Sequence, residues 1–194
     1  EMGEISEQDG VLTFDVTVKN TGGAAGKDVV QVYFDPPYTN GGVEKASANL
    51  VEFAKTDLLE PGASQTIKIS LKAENMASFD AKGHGCYVLE AGDYTISINS
   101  DSHRRLDSRV YTIAQDVVYG EDSARSTDKT AAVTQLSFAE GNVEYLSRKD
   151  GFANYDAAVA APTNFEMAAD VKAGFYNHTN YDPTQFNNDS DAVP

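Results

Sequence analysis

Residues 11–19 alternate without a break, with Leu12, Phe14, Val16 and Val18 on one side and Thr13, Asp15, Thr17 and Lys19 on the other. A period of two marks a strand with one buried and one wet face. Asp9-Gly10 just ahead supplies a tight turn, so the short piece around Ile5 is expected to pair with this strand as a hairpin arm. A second turn spans 20–27, with glycines at 22, 23 and 26, and a second strand follows over 28–34 with Val30, Val32 and Phe34 on one face. The run Asp35-Pro36-Pro37-Tyr38-Thr39-Asn40-Gly41-Gly42 cannot continue a central strand. Proline lacks the ladder donor and glycine costs backbone entropy, so a long surface loop is predicted there. The segment 50–58 ends in a turn at Pro61-Gly62, and 66–71 alternates again with Ile67, Ile69 and Leu71 inward. Residues 76–80 read as a turn or a single helical turn. Residues 87–89, 94–98 and 110–113 complete a set of about seven or eight short strands, with Ala91-Gly92-Asp93 turning the chain between the first two.

Short strands at this spacing, with no long helical pattern among them, predict an all-β fold: a two-layer antiparallel sandwich of immunoglobulin type over residues 1–114. Each inward side chain contributes about 1.5–3 kcal/mol by burial. The character changes near Gln115. Residues 121–130 are polar and without periodicity, and read as a linker or an extended strap. Beyond them 133–138 and 143–146 are candidate strands, and 153–161 and 164–173 candidate short helices separated by Pro162. Residues 176–194, rich in Asn, Asp, Thr and Tyr, hold too few aliphatic side chains to fold alone and are expected to fray or to lie on another surface. The second region, 115–194, is therefore expected to be an extended, partly helical connector.

Composition narrows the partners. With 30 acidic against 15 basic residues the formal charge is −15, which repels phosphate backbones and argues against nucleic acid. No apolar run approaches the roughly 18 residues of a membrane span, and no basic-then-apolar leader opens the chain. The ends, Glu1-Met2-Gly3 and Ala192-Val193-Pro194, read as cut from something longer. Cys86 is the only cysteine, so no internal disulfide exists, and a buried structural thiol is expected.

Three blocks then point to a family. Val16-Thr17-Val18-Lys19-Asn20-Thr21-Gly22 with Ala25-Gly26-Lys27-Asp28-Val29-Val30-Gln31-Val32-Tyr33 resembles the opening of the fibronectin type III-like domain of glycoside hydrolase family 3, the family of many β-glucosidases. The stretch from Leu50 to Pro61-Gly62 resembles its middle, and Leu89-Glu90-Ala91-Gly92-Asp93-Tyr94-Thr95-Ile96-Ser97-Ile98 its last hairpin. Many members carry proline shortly before the middle block, where this chain has Lys45-Ala46-Ser47-Ala48-Asn49. In the commoner family order this module comes last, after a (β/α)8 barrel and an α/β sandwich. A subset reverses the order, and there the module runs into a connector ahead of the barrel. Leu136-Ser137-Phe138-Ala139-Glu140-Gly141 and the stretch from Glu144 to Tyr155 are similar to that connector. The resemblance thus implies a non-catalytic structural module of a bacterial β-glucosidase, with the other domains of the parent enzyme as partners. Together with the single cysteine it favours the cytoplasm. The alternative is a stand-alone adhesion or carbohydrate-binding sandwich on a cell surface.

No residue qualifies for the chemistry itself. Family members use a carboxylate nucleophile and a separate general acid about 5–5.5 Å apart for retention, the nucleophile lying in a serine-aspartate-tryptophan type motif. This chain has no tryptophan, and neither Phe79-Asp80 nor Asn188-Asp189-Ser190-Asp191 fits that setting. Ser64 and Ser123 lack the Gly-x-Ser-x-Gly elbow of an activated serine. His84, His103 and His178 lie far apart, as surface or turn residues, and hold no zinc spacing. Asp182, Asp189 and Asp191 match no calcium loop and read as a solvated tail. The Asn177-His178-Thr179 and Asn188-Asp189-Ser190 triplets are formal glycosylation acceptors of the kind that recur in Asn-rich tails. No catalytic, cofactor or metal residue is therefore expected. Tyr33 and Tyr38 beside the loop glycines leave two readings open: an aromatic platform for sugar, or packing residues with a bonded hydroxyl.

Overall fold

The structure is a computed structural model that describes residues 1–128, 144–161 and 165–177. Among the described residues ten strands form three antiparallel sheets. Ser6–Gln8 (β1), Val11–Lys19 (β2) and Ser64–Lys72 (β5) make the first, in the order β1-β2-β5. Val29–Asp35 (β3), Asn49–Lys55 (β4), Gly92–Asn99 (β8) and Arg105–Ile113 (β9) make the second, in the order β4-β3-β8-β9. The third is small: Ser78–Asp80 (β6), Cys86–Leu89 (β7) and Val117–Tyr119 (β10), with β7 in the middle.

The period of two is what builds the first two layers. In the β2–β5 register Leu12 lies beside Leu71, Phe14 beside Ile69 and Val16 beside Ile67, so the apolar set of one strand extends that of the other. Val32 beside Ile98 and Phe34 beside Ile96 repeat the arrangement in the four-stranded sheet. These faces share one buried cluster, which also takes in Met76 and Leu89. Asp9 and Gly10, both at positive φ, form the two-residue hairpin loop that joins β1 to β2. The turn expected over 20–27 is organised by Asn20, whose Nδ2 donates to Leu59 O at 2.7 Å and Ala24 O at 2.9 Å while its Oδ1 accepts from Gly22 N at 2.9 Å.

Several elements differ from the sequence expectation. Residues 76–80 are not a single turn: a 3-10 turn over Ala73–Met76 leads into β6. Gly92 and Asp93 belong to β8 rather than to a turn, because β7 and β8 lie in different sheets and do not pair. β9 begins at Arg105, well before residue 110, since its inward positions opposite Ile96 and Ile98 are Arg109 and Asp107. These polar groups are inward for a reason. Asp107 Oδ2 accepts from Met2 N at 2.8 Å and the Arg109 guanidinium donates to Met2 O, which seats the Met2 side chain, 1% exposed, in the core. Met2 and Ser108 N–H groups hold the Asp107 carboxyl below its ordinary range.

Past residue 114 the chain stays on the sheets for a while. β10 pairs with β7, the Arg125 guanidinium stacks 3.3 Å over the Tyr87 ring and donates to both Asp128 oxygens, and Ser126 N donates to Glu74 at 2.9 Å. The segment 121–128 is thus a strap tied down by side chains. Two compact units result, Glu1–Lys129 with Arg148–Gly151, and Thr130–Ser147 with Phe152–Pro194. In the second, Tyr155–Val159 (α1) lies within the predicted 153–161, whereas Ala169–Asn177 (α2) starts later than the predicted 164. Residues 144–146, expected as part of a strand, have no regular structure, and Asn154 holds them instead: its Oδ1 accepts from Ser147 N at 3.0 Å and its Nδ2 donates to Tyr145 O at 2.9 Å. The candidate strand 133–138 and the tail 178–194 lie outside the described residues.

Candidate functional site

Two side-chain constellations on the sandwich rise above ordinary packing. The first is the loop between β3 and β4. It leaves β3 through buried Pro36 and passes so close to Gly92, at φ 135°, that a Cβ there would stand 3.0 Å from the Pro37 side chain. Lys45, its side chain 3% exposed, forms an ion pair with Glu90 and anchors the loop's far end. Residues 148–151 then clamp the loop from above. The Arg148 guanidinium lies 4.2 Å from the Tyr38 ring centre and donates to Lys45 O at 3.0 Å, while Arg148 N donates to Glu44 Oε2 at 3.0 Å. Asn40 and Asp150 bond reciprocally, each accepting from the other at 2.8 Å.

The second constellation closes the β6–β7 turn. Asp80 accepts from Gly83 N and His84 N at 2.8 Å each and meets His84 Nδ1 at 2.9 Å. Backbone donation from His84 and Gly83 pulls its carboxyl down to about 2. With Lys82 N also donating at 3.3 Å, both Asp80 oxygens are engaged within the turn that they close.

The residues singled out from sequence fall as follows. Tyr33 is buried on β3, its hydroxyl donating to Gln31 Oε1 at 3.1 Å, and Tyr38 lies beneath Arg148 with its hydroxyl on Glu44 at 3.3 Å. The two rings form no open platform. Cys86 is half-buried at the start of β7 rather than fully enclosed. Ser64 begins β5, and Ser123 Oγ donates to Val118 O at 3.0 Å. His84 and His103 sit in turns. His178, Asp182, Asn188, Asp189 and Asp191 lie outside the described residues, as does the side chain of Asn177. Among the described residues no group of three or more His, Cys, Asp and Glu side chains is placed to hold a metal ion, and no helix is long and apolar enough to cross a membrane. The Arg148 clamp was not foreseen, because its halves are about 100 positions apart and neither carries a local pattern.

Residues 28–102 match the fibronectin type III-like domain family. β-Glucosidase A of Butyrivibrio fibrisolvens is 31% identical over 155 residues, 78% of this chain and 18% of that protein, and a Ruminococcus albus β-glucosidase is 38% identical over 109 residues, 54% of this chain and 11% of that protein. The chain carries a fibronectin type III-like domain of the glycoside hydrolase family 3 kind. Solved structures agree in fold. Thermotoga neapolitana β-glucosidase 3B, solved with α-D-glucose, superposes on 61% of this chain with a TM-score of 0.53 at 30% identity, using 16% of its own length. The Kluyveromyces marxianus β-glucosidase superposes on 61% with a TM-score of 0.55 at 29% identity, using 14% of its length. The chain therefore spans less than a fifth of the β-glucosidases it matches. The fibronectin type III-like domain accounts for the sandwich, but the 155-residue match is longer than the matched domain segment 28–102. Wherever such a stretch begins, it must run beyond the strands into the segment that bears Arg148.

Proposed function

We propose that this chain is a non-catalytic structural module of a family 3 glycoside hydrolase of β-glucosidase type and reversed domain order. The sandwich acts as a spacer and the segment after it as the connector to a catalytic barrel. The observation that carries this reading is the connector's surface. Phe165 is 90% exposed and Tyr145 74%, and Phe152, Tyr155, Val159 and Met167 are about half exposed or more. So many apolar side chains on a short segment suit burial against another domain. The partner is taken to be the catalytic domain of the same enzyme, because the similarity to β-glucosidase A extends into this segment and that protein is several times longer than this chain.

In this reading the Arg148 clamp ties residues 148–151 to the β3–β4 loop of the spacer, and the chemistry resides elsewhere in the parent. Two measurements test it. The isolated chain is expected to release no nitrophenol from an aryl β-glucoside; release above background contradicts the non-catalytic role. The parent reading frame is expected to continue into a barrel with an aspartate nucleophile; a frame without one contradicts the reversed order.

A further inference from the structure

The tip of the loop between β3 and β4 combines a reactive peptide step with the contact that ties residues 148–151 to it. Asn40-Gly41 is the only Asn-Gly pair in the 194 residues. Both residues are exposed, in a turn that Gly42 N closes by donating to Thr39 O at 2.9 Å. Gly41 stands at φ 76°, a conformation that favours glycine. The glycine also has a chemical consequence. With no Cβ beside it, the Gly41 nitrogen can approach the side-chain amide carbon of the preceding asparagine at little steric cost. The turn's own bond uses the N–H of Gly42 and leaves that of Gly41 outside it.

The same amide closes the clamp. Asn40 Nδ2 donates to Asp150 Oδ1 at 2.8 Å, and Asn40 Oδ1 accepts from Asp150 N at 2.8 Å. Asp150 is presented by a second turn, in which Gly151 N donates to Arg148 O at 3.1 Å. An amide suits this place because it offers a donor and an acceptor side by side, whereas a carboxylate offers acceptors only. Exchange of the Asn40 nitrogen for oxygen therefore turns a donor facing Asp150 Oδ1 into a second anionic oxygen. Both turns belong to one compact unit, Glu1–Lys129 with Arg148–Gly151.

We propose that Asn40 is a site of spontaneous deamidation, and that its conversion opens the clamp between residues 148–151 and the β3–β4 loop. Water is the co-reactant. Gly41 N attacks Asn40 Cγ; the N–Cγ bond forms as the Cγ–Nδ2 bond breaks, and the Gly41 amide proton leaves with that nitrogen as ammonia. Water then adds to the cyclic imide, its oxygen going to a carbonyl carbon and one proton returning to Gly41 N, with nothing oxidised or reduced. Cleavage at Cγ gives aspartate, and cleavage at the main-chain carbonyl gives isoaspartate. Two bonds to Asp150 hold the amide while the clamp is closed, so conversion draws on the fraction in which they are open. Aspartate at position 40 sets two carboxylates against each other, and isoaspartate lengthens the main chain inside the turn. Reclosing is then disfavoured, and a transient opening becomes a lasting one. The proposal does not depend on the spacer reading, since it needs only the two facing turns.

The test ages the full 194-residue chain at mildly alkaline pH and follows by mass spectrometry the tryptic peptide from Asp28 to Lys45, in which Asn40 is the only asparagine. This peptide is expected to gain the mass of an NH2-to-OH exchange sooner than any other asparagine-containing peptide. The Asp150 amide of the aged chain is expected to exchange with solvent about tenfold faster, and Asn40→Asp, made directly, should show the same loss of protection. Gly41→Ala should slow the conversion about tenfold, and Asp150→Ala, which frees the amide, should speed it. If Asp150→Ala does not fold, the aged chain and Asn40→Asp still decide. An intact Asn40 after other asparagines have converted, a conversion rate that Gly41→Ala or folded Asp150→Ala leaves unchanged, or an Asp150 amide as protected in Asn40→Asp as in the parent chain would each overturn the proposal.

Discussion

Asp80 shows how one side chain sets a loop and a pH dependence together. Residues 81–85 could not close so tightly between β6 and β7 without an acceptor for the N–H groups of Gly83 and His84. A side chain at position 83 would place its Cβ 2.3 Å from Asp80 Oδ2. The folded-state value of about 2 lies below the ordinary 3.8. A depressed carboxyl contributes stability that is complete above the unfolded value and disappears as pH falls through the folded one. Asp80→Ala should therefore melt below the parent at neutral pH, and the difference should shrink between pH 3.8 and about 2. Thermal melts followed by circular dichroism across that window check it; a difference of constant size down to pH 2 contradicts the assignment.

The loop between β3 and β4 is the element that carries the first candidate constellation. Arg148 and Asp150 cover its outer side, and the Lys45–Glu90 ion pair anchors its far end. Asn40→Ala removes both halves of the reciprocal bond to Asp150, so the Asp150 amide should exchange faster with solvent. Arg148→Ala should cost about 1 kcal/mol or less through the lost stacking on Tyr38, and should leave β2 and β5 as protected as before. Hydrogen exchange read by mass spectrometry separates the two effects, and an unchanged Asp150 amide in Asn40→Ala would remove the clamp from the account.

The same element marks what sequence could and could not convey. β2, β3 and β5 were legible because their apolar faces are unbroken, and the Pro36-Pro37 break was legible because proline cannot donate. β9 was half hidden. Its inward Asp107 and Arg109 serve Met2 across the sandwich, so only 110–113 read as a strand. β10 was missed because Val117 and Val118 are partly exposed on a three-residue edge strand, too short for alternation to register. The burial of Ser97 and Asn99 was equally silent: Thr95-Ile96-Ser97-Ile98-Asn99 reads as an ordinary strand with its polar residues in water. Only the loops that rise on either side reveal that two of those residues are enclosed.

For the molecule as a whole the contrast between its two parts is the main physical fact. The sandwich encloses a continuous core from Met2 to Ile98, whereas the described connector buries one apolar side chain, Val171, and leaves Phe165 and Tyr145 in water. Short helices such as α1, five residues long, have little stability of their own. The spacer reading holds that a catalytic domain supplies the missing contacts. The direct measurement is hydrogen exchange of the 194-residue chain beside that of the full parent enzyme. The account predicts that the amides of α1 and of 144–154 exchange about tenfold or more slowly in the parent, while β2, β3 and β8 are equally slow in both. Equal exchange of the connector in chain and parent would contradict it.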